Sequence, residues 1–258
     1  MQRTLLAVLA HPDDETFACG GTFARYAASG VRTVLVICTG GEVGEISDPV
    51  LATPDTLGQV RAGELAASAS ALGIARTVAL GYRDSGMAGT PANQHPESFH
   101  LADLDEAVAR LLEVIRVERP QVMICPNERG DYGHPDHVKA NRVATAAFRA
   151  TEGVVAKLYY TAFPRSLMAR FAEALREIGE RPFDEREVVD LDGQPVELGT
   201  ADELVTTAVD VSAQLEQKRA SFQAHRTQFG QASPFMRMEG ERFRALWSHE
   251  HFRLVEGR

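Results

Sequence analysis

Short, almost wholly apolar runs separated by stretches of helical periodicity set the rhythm of this chain. The runs at 4–10, 31–38, 77–80, 121–126 and 157–162 read as strands, the first and fourth of them as strands buried on both faces of a parallel sheet. Apolar residues recur at helical spacing over 13–29, 58–73, 101–118, 136–150, 165–178 and 212–225. Strand and helix alternate, so the expected fold is α/β: a Rossmann-like, doubly wound, mostly parallel sheet with helices on both faces. At 258 residues and 44% hydrophobic content the chain can fill one core, and no shift in composition marks off a second, so residues 1–258 are expected to form a single domain.

Each of the first four strands is followed by a polar cluster: His11 to Glu15, Thr39 to Glu45, Arg83 to Ser85, and Asn127 to His137. In open α/β sheets the carboxyl edge of the strands is where ligands bind, so these clusters are expected to face one crevice. Two of them contain a His-Pro-Asp junction, His11-Pro12-Asp13-Asp14-Glu15 and Gly133-His134-Pro135-Asp136-His137. A residue before proline is pushed into an extended conformation, and proline suits the first helical position, so His11 and His134 should lie just ahead of a helix. Asp14 follows His11 by three residues and His137 follows His134 by three, which brings the side chains of each pair onto one face.

Two imidazoles and a carboxylate can then converge. His11, Asp14 and His137 form a two-histidine, one-carboxylate set with open coordination positions, as catalytic zinc uses and Fe(II) also accepts. Asp13 and His134 are left unligated beside the metal. Asp13 can take a proton from activated water, and His134 can give one to a leaving group or stabilise an oxyanion, with Asp136 holding its ring in the working tautomer. Acidic residues in a first helical turn are also favoured by the macrodipole alone, which is the plain alternative for Asp13, Asp14 and Glu15 taken singly.

These two clusters, with Thr39-Gly40-Gly41-Glu42, Arg61, Glu64 and Asp84-Ser85-Gly86-Met87, resemble the LmbE/PIG-L family of metal-dependent de-N-acetylases over most of residues 3 to 150. The later elements look most like the branch that acts on N-acetylglucosaminyl-inositol or cleaves related amides. The resemblance implies a zinc-dependent hydrolase that removes the N-acetyl group from an N-acetylglucosamine-type sugar conjugate, releasing acetate and a free amine. It implies the same ligands, His11, Asp14 and His137, with Asp13 as general base, His134 assisting the intermediate and the leaving amine, and Asp136 as an orienting carboxylate. It further implies that Tyr132 polarises the substrate carbonyl and that Arg61 and Asp84 hold the sugar. Where the family often has a glycine pair before that tyrosine, this chain has Gly130-Asp131.

A net charge of −9 argues against nucleic acid or an anionic membrane as partner and leaves a small amino-sugar conjugate as the expected one, with homo-oligomers left open. No run approaches the roughly 20 apolar residues of a membrane span, and the N-terminus lacks the marks of a secretion signal, so a cytoplasmic setting is expected. Cys19, Cys38 and Cys125 fall in or beside apolar segments and are expected to be reduced and packed. The long irregular stretches 45–56 and 83–100 are expected to shape the substrate pocket as rims or lids. Residues 184–203, with eight acidic groups and one arginine around Asp192-Gly193, read as a solvated hairpin, and the tail around Trp247 and Phe252 as a packed one. Two other functions stay open: a metal- and sugar-binding module without turnover, and a nucleotide-binding α/β protein. The second would want a G-x-G-x-x-G loop opening the first helix, and none is there.

Overall fold

The computed structural model describes residues 2–151, 153–182 and 188–257. Strands β1 (Thr4–Leu9), β2 (Arg32–Thr39), β3 (Arg76–Tyr82), β4 (Val122–Cys125) and β5 (Lys157–Ala162) run parallel in the order β3-β2-β1-β4-β5. Two further strands, β6 (Thr207–Asp210) and β7 (His249–Gly257), extend the sheet beyond β5, with β7 antiparallel to both of its neighbours. The fold is therefore the expected mostly parallel α/β sheet with one antiparallel margin.

Side chains alternate across the sheet with the period of two that a pleat imposes. Leu6, Val8, Val34, Val36 and Met123 pack on one face against α4 (Leu104–Glu118) and α6 (Pro135–Ala150). Leu5, Ala7, Leu9, Leu35, Ile37 and Ile124 pack on the other, against α1 (Asp14–Ala18), α2 (Gly20–Ala28) and α3 (Leu57–Leu72). A third core joins Phe17 to α7 (Arg165–Glu177), α8 (Leu215–Ala224) and α10 (Gly240–Trp247), with Phe229, Phe235 of α9 (Pro234–Arg237), and Trp247. Among the described residues no helix is long and apolar enough to cross a membrane.

The single helix expected over 13–29 is two helices, broken at Cys19. The break exposes a fresh helix start whose Gly21 and Thr22 N–H groups donate to the Glu250 carboxylate at 2.8 and 2.7 Å. A lost neutral hydrogen bond costs about 0.5–1.5 kcal/mol, whereas each bond to a charged acceptor contributes about 1.5–3, so the break is favoured. Gly21 is required there, because a Cβ would come 2.6 Å from the Val211 side chain. The helices expected from 101 and 212 each begin with a 3-10 turn, Phe99–Leu101 and Ser212–Gln214. Part of the acidic hairpin exists as a bridge between Val189 and Pro195 around Gly193, while residues 184–187 lie outside the described residues.

Candidate active site

β1 and β4 are neighbours whose following helices cover opposite faces of the sheet, so a crevice opens at their carboxyl ends. Both His-Pro-Asp clusters empty into it. The rings of His11, His134 and His137 form a triangle with centroid separations of 4.5, 5.3 and 5.3 Å, and all three are buried. Asp14 closes one side: its Oδ1 lies 3.3 Å from His137 Nε2 and its Oδ2 3.8 Å from His11 Nδ1. The Ala10 and His11 amides donate to Oδ2 at 3.1 and 2.8 Å and fix the carboxylate.

These residues fit a divalent cation. His137 is buried with no hydrogen-bond partner on either ring nitrogen, a state that native proteins rarely leave unresolved, and its Nε2 faces the Asp14 carboxylate. Behind His11, Nε2 meets Asp136 Oδ2 at 3.2 Å and Asp84 Oδ1 at 3.5 Å, the carboxylate backing typical of a metal-bound imidazole. Burial alone would lower the His11 and His137 pKa values, but Asp136, Asp84 and Asp14 lift His11 well above its usual range, and Asp14 and Asp131 push His137 up to about 9. Burial would raise Asp14, yet His137 and His11 hold it below the usual carboxylate range. A divalent cation bound there would compete with protons for the same nitrogens and oxygens.

Asp13 points elsewhere than Asp14. It sits at φ 109, ψ −28, a conformation that costs a residue with a Cβ about 1–3 kcal/mol and persists only where its surroundings enforce it. Its amide donates to Glu15 Oε2 at 3.0 Å, and Arg61 Nη2 lies 3.1 Å from its Oδ2. Burial pushes the Asp13 carboxyl up to about 6, and Arg61 opposes the rise. Arg61 is itself buried and also donates to the Gly41 and Pro12 carbonyls. Gly41 has φ 64, and a Cβ there would collide with the Arg61 guanidinium at 2.5 Å.

His134 caps α6: its Nδ1 accepts the Asp136 N–H at 3.2 Å, which leaves the ring proton on Nε2. Burial, then the charges of His11 and His137, lowers its pKa well below the usual value, so the ring is neutral. The Asp136 carboxylate, expected to hold the His134 ring, is turned instead to His11 Nε2 and to the Ser85 amide at 2.9 Å and hydroxyl. A residue at the second position of a helix aims its amide back at the cap and its side chain away from it, so the backbone performs the orienting. Asp84 likewise accepts from the Gly86 amide at 2.8 Å and the Val43 amide at 3.3 Å, and its remaining contact is His11. Asp84 and the two terminal nitrogens of Arg61, expected to hold the sugar, thus lie on protein partners, while the buried Arg61 Nε has none.

Tyr132 stands at the rim, 39% exposed, with its ring 5.0 Å from His137 and 6.0 Å from His134. It rides on the turn α5 (Gly130–Gly133), where Gly130, Asp131 and Gly133 all have positive φ. Asp131 was missed by sequence reasoning: its Oδ2 lies 3.6 Å from His137 Nδ1, while its Oδ1 accepts from Asn127 Nδ2 at 2.9 Å and Thr161 Oγ1 at 2.8 Å. The replaced glycine was its only signal. Beside Asp13, Asp14, Tyr132 and His137 opens a cavity of about 490 Å³ walled by Phe17, Phe163, Met168, Phe171, Phe235 and Trp247. Neither long loop expected to form the rim contributes a lining residue; past Ser85, the second folds back on itself through Asn93 and His100.

Buried imidazoles and carboxylates gathered at the switch point of a doubly wound sheet define an α/β protein whose crevice can hold a metal ion. Residues 6–148 match the GlcNAc-PI de-N-acetylase (PIG-L) family, and the chain belongs to it. It is 46% identical over 266 residues to the 1D-myo-inositol 2-acetamido-2-deoxy-alpha-D-glucopyranoside deacetylase of Acidothermus cellulolyticus, covering 100% of this chain and 90% of that one. The corresponding deacetylase 1 of Catenulispora acidiphila is 43% identical, covering 99% of this chain and 84% of that one. In fold the chain resembles the N,N'-diacetylchitobiose deacetylase of Pyrococcus horikoshii, with a TM-score of 0.64 at 24% identity, covering 99% of this chain and 84% of that one.

Proposed function

We propose that this protein is a metal-dependent deacetylase that hydrolyses the acetamide of an N-acetylglucosaminyl-inositol conjugate to acetate and the free amine. The observation that carries the reading is the split between the adjacent aspartates: Asp14 faces two imidazoles, while Asp13, lifted to about 6, faces the cavity free of them. The shared activity named for relatives above 40% identity supplies the substrate class. His11, Asp14 and His137 would hold the metal, zinc in this reading, although the N/O donor set also accepts Fe(II) or another divalent ion. When bound, the metal supplies Lewis acidity, which lowers the pKa of water and polarises the amide carbonyl.

The chain's own residues do the rest. Asp13 takes a proton from the attacking water and passes it on to the departing nitrogen, while the neutral His134 ring donates a hydrogen bond from Nε2 to the developing oxyanion. The Tyr132 hydroxyl sits at the rim, where an acetamide oxygen would enter. Asp136 and Asp84 hold His11 from behind, and Arg61 holds Asp13, so the sugar roles implied for Arg61 and Asp84 would require them to turn from these partners. Residues 1–258 act as one catalytic domain, supported by a single sheet that takes strands from both ends of the chain. A cytoplasmic setting is supported by three buried, unpaired cysteines.

The test is acetate release from N-acetylglucosaminyl-inositol by metal-reconstituted and chelator-stripped protein. The expected result is turnover that needs the metal and a stripped protein that stays folded. Binding of the conjugate without release of acetate would favour a binding module instead.

A further inference from the structure

On the side of the Asp13 turn away from the metal cage lies a sealed polar network that the chemistry above leaves unused. Glu15, Ser68, Ser221 and His225 are all fully buried. Glu15 Oε1 accepts from His225 Nε2 at 2.6 Å and from Ser68 Oγ at 2.5 Å, and Ser68 Oγ lies 2.7 Å from Ser221 Oγ. The other oxygen, Oε2, accepts the Asp13 amide. His225 follows the last residue of α8 and lies beyond the residues that match the family. The position reads as a helix end where an imidazole suits the dipole, but the ring reaches across to the catalytic turn.

The turn needs such a partner. Asp13 precedes α1 yet makes no side-chain cap bond, and its φ of 109 is not one it would adopt unaided. Its amide has one acceptor, and that acceptor is held in place by His225 and Ser68. We infer that His225, acting through Glu15, is a positioning residue for Asp13: it fixes the carboxylate that holds the Asp13 amide and thereby aims the Asp13 side chain. Thr227, two residues on, donates its amide and hydroxyl to Glu64 of α3 at 2.7 and 2.6 Å, so the segment that carries His225 is itself anchored.

The inference rests on Asp13 as the base of the proposed reaction. Its test compares His225→Leu, which removes the donor, with His225→Gln, whose amide nitrogen can still reach Glu15, each as metal-loaded enzyme. The expected result for His225→Leu is a kcat lower by about 10- to 100-fold, the usual worth of a supporting partner, with KM and metal content unchanged. His225→Gln should recover most of that loss. If His225→Leu does not fold, Glu15→Gln/His225→Leu removes the stranded charge and should show the same loss of kcat. A variant that melts earlier but keeps full kcat at a temperature where it is folded overturns the inference, as does one that loses its metal along with its rate. Amide hydrogen exchange across residues 11–17 needs no substrate: it should quicken in His225→Leu and slow again in His225→Gln, and unchanged exchange overturns the inference. A wild-type protein that releases no acetate would defeat the deacetylase reading, and the exchange result would still decide the role of His225.

Discussion

The same tripeptide, His-Pro-Asp, occurs twice at this site and is built in two different ways. At His134-Pro135-Asp136 the sequence does the work locally. His134 is extended, Pro135 takes the first helical position, His134 Nδ1 caps the Asp136 amide, and α6 runs on for four turns. At His11-Pro12-Asp13 the helix starts later, Asp13 is bent to φ 109, and α1 lasts only five residues. What holds this turn comes largely from elsewhere: Arg61 of α3, and His225 from the far end of the chain, acting through the Glu15 carboxylate. A locally determined junction delivers a neutral imidazole with a known tautomer. A tertiary one can hold a base in a conformation that no local sequence would choose, at the cost of depending on distant residues.

If that comparison is right, the largest effect should come from the locally built side. His134→Ala removes the Nε2–H hydrogen-bond donor and leaves the cage, so kcat should fall about 10²- to 10⁴-fold with metal content retained. Metal analysis alongside steady-state rates checks it, and a variant that loses stoichiometric metal would make His134 a ligand. Asp84→Ala should be milder. Its carboxylate backs His11, so metal affinity should weaken about 10- to 100-fold, as measured by competition with a chelator. A raised KM with undiminished metal affinity would instead restore the sugar-holding role that the family resemblance implied. Smallest of all, Pro135→Ala should cost about 0.4–1 kcal/mol of stability by loosening the unfolded chain, with kcat unmoved, in a denaturant titration. A drop in rate there would mean that the second junction is also under tertiary control.

The same division decides what was legible in the sequence. β1, β2, β4 and β5 are mostly apolar runs, largely buried in the sheet, so pattern alone located them, and the three-residue spacings in the two clusters brought His11, Asp14, His134 and His137 together. The break at Cys19 was not legible, because the carboxylate that caps α2 belongs to Glu250, more than 200 residues away. β7 escaped notice for a related reason: its buried positions include Glu250, matched by the buried Lys218 at 2.5 Å, and no strand pattern anticipates a buried ion pair. Half of the cavity wall comes from residues 163–247, a region with no chemical motif, where aromatic side chains read only as core. Asp136 was assigned to the right site and the wrong partner, since spacing gives proximity but not the direction in which a first-turn side chain leaves its helix.

The central claim is that adjacent aspartates divide the labour, Asp14 for the metal and Asp13 for the proton. The most direct measurement is metal content and acetate release on the same preparations of Asp13→Asn and Asp14→Ala. Asp13→Asn should keep one metal per chain while kcat falls about 10²-fold or more, and Asp14→Ala should lose metal and turnover together. If Asp13→Asn loses the metal while Asp14→Ala keeps it, the two roles are reversed; if both keep metal and rate, the acidic turn is only a helix cap.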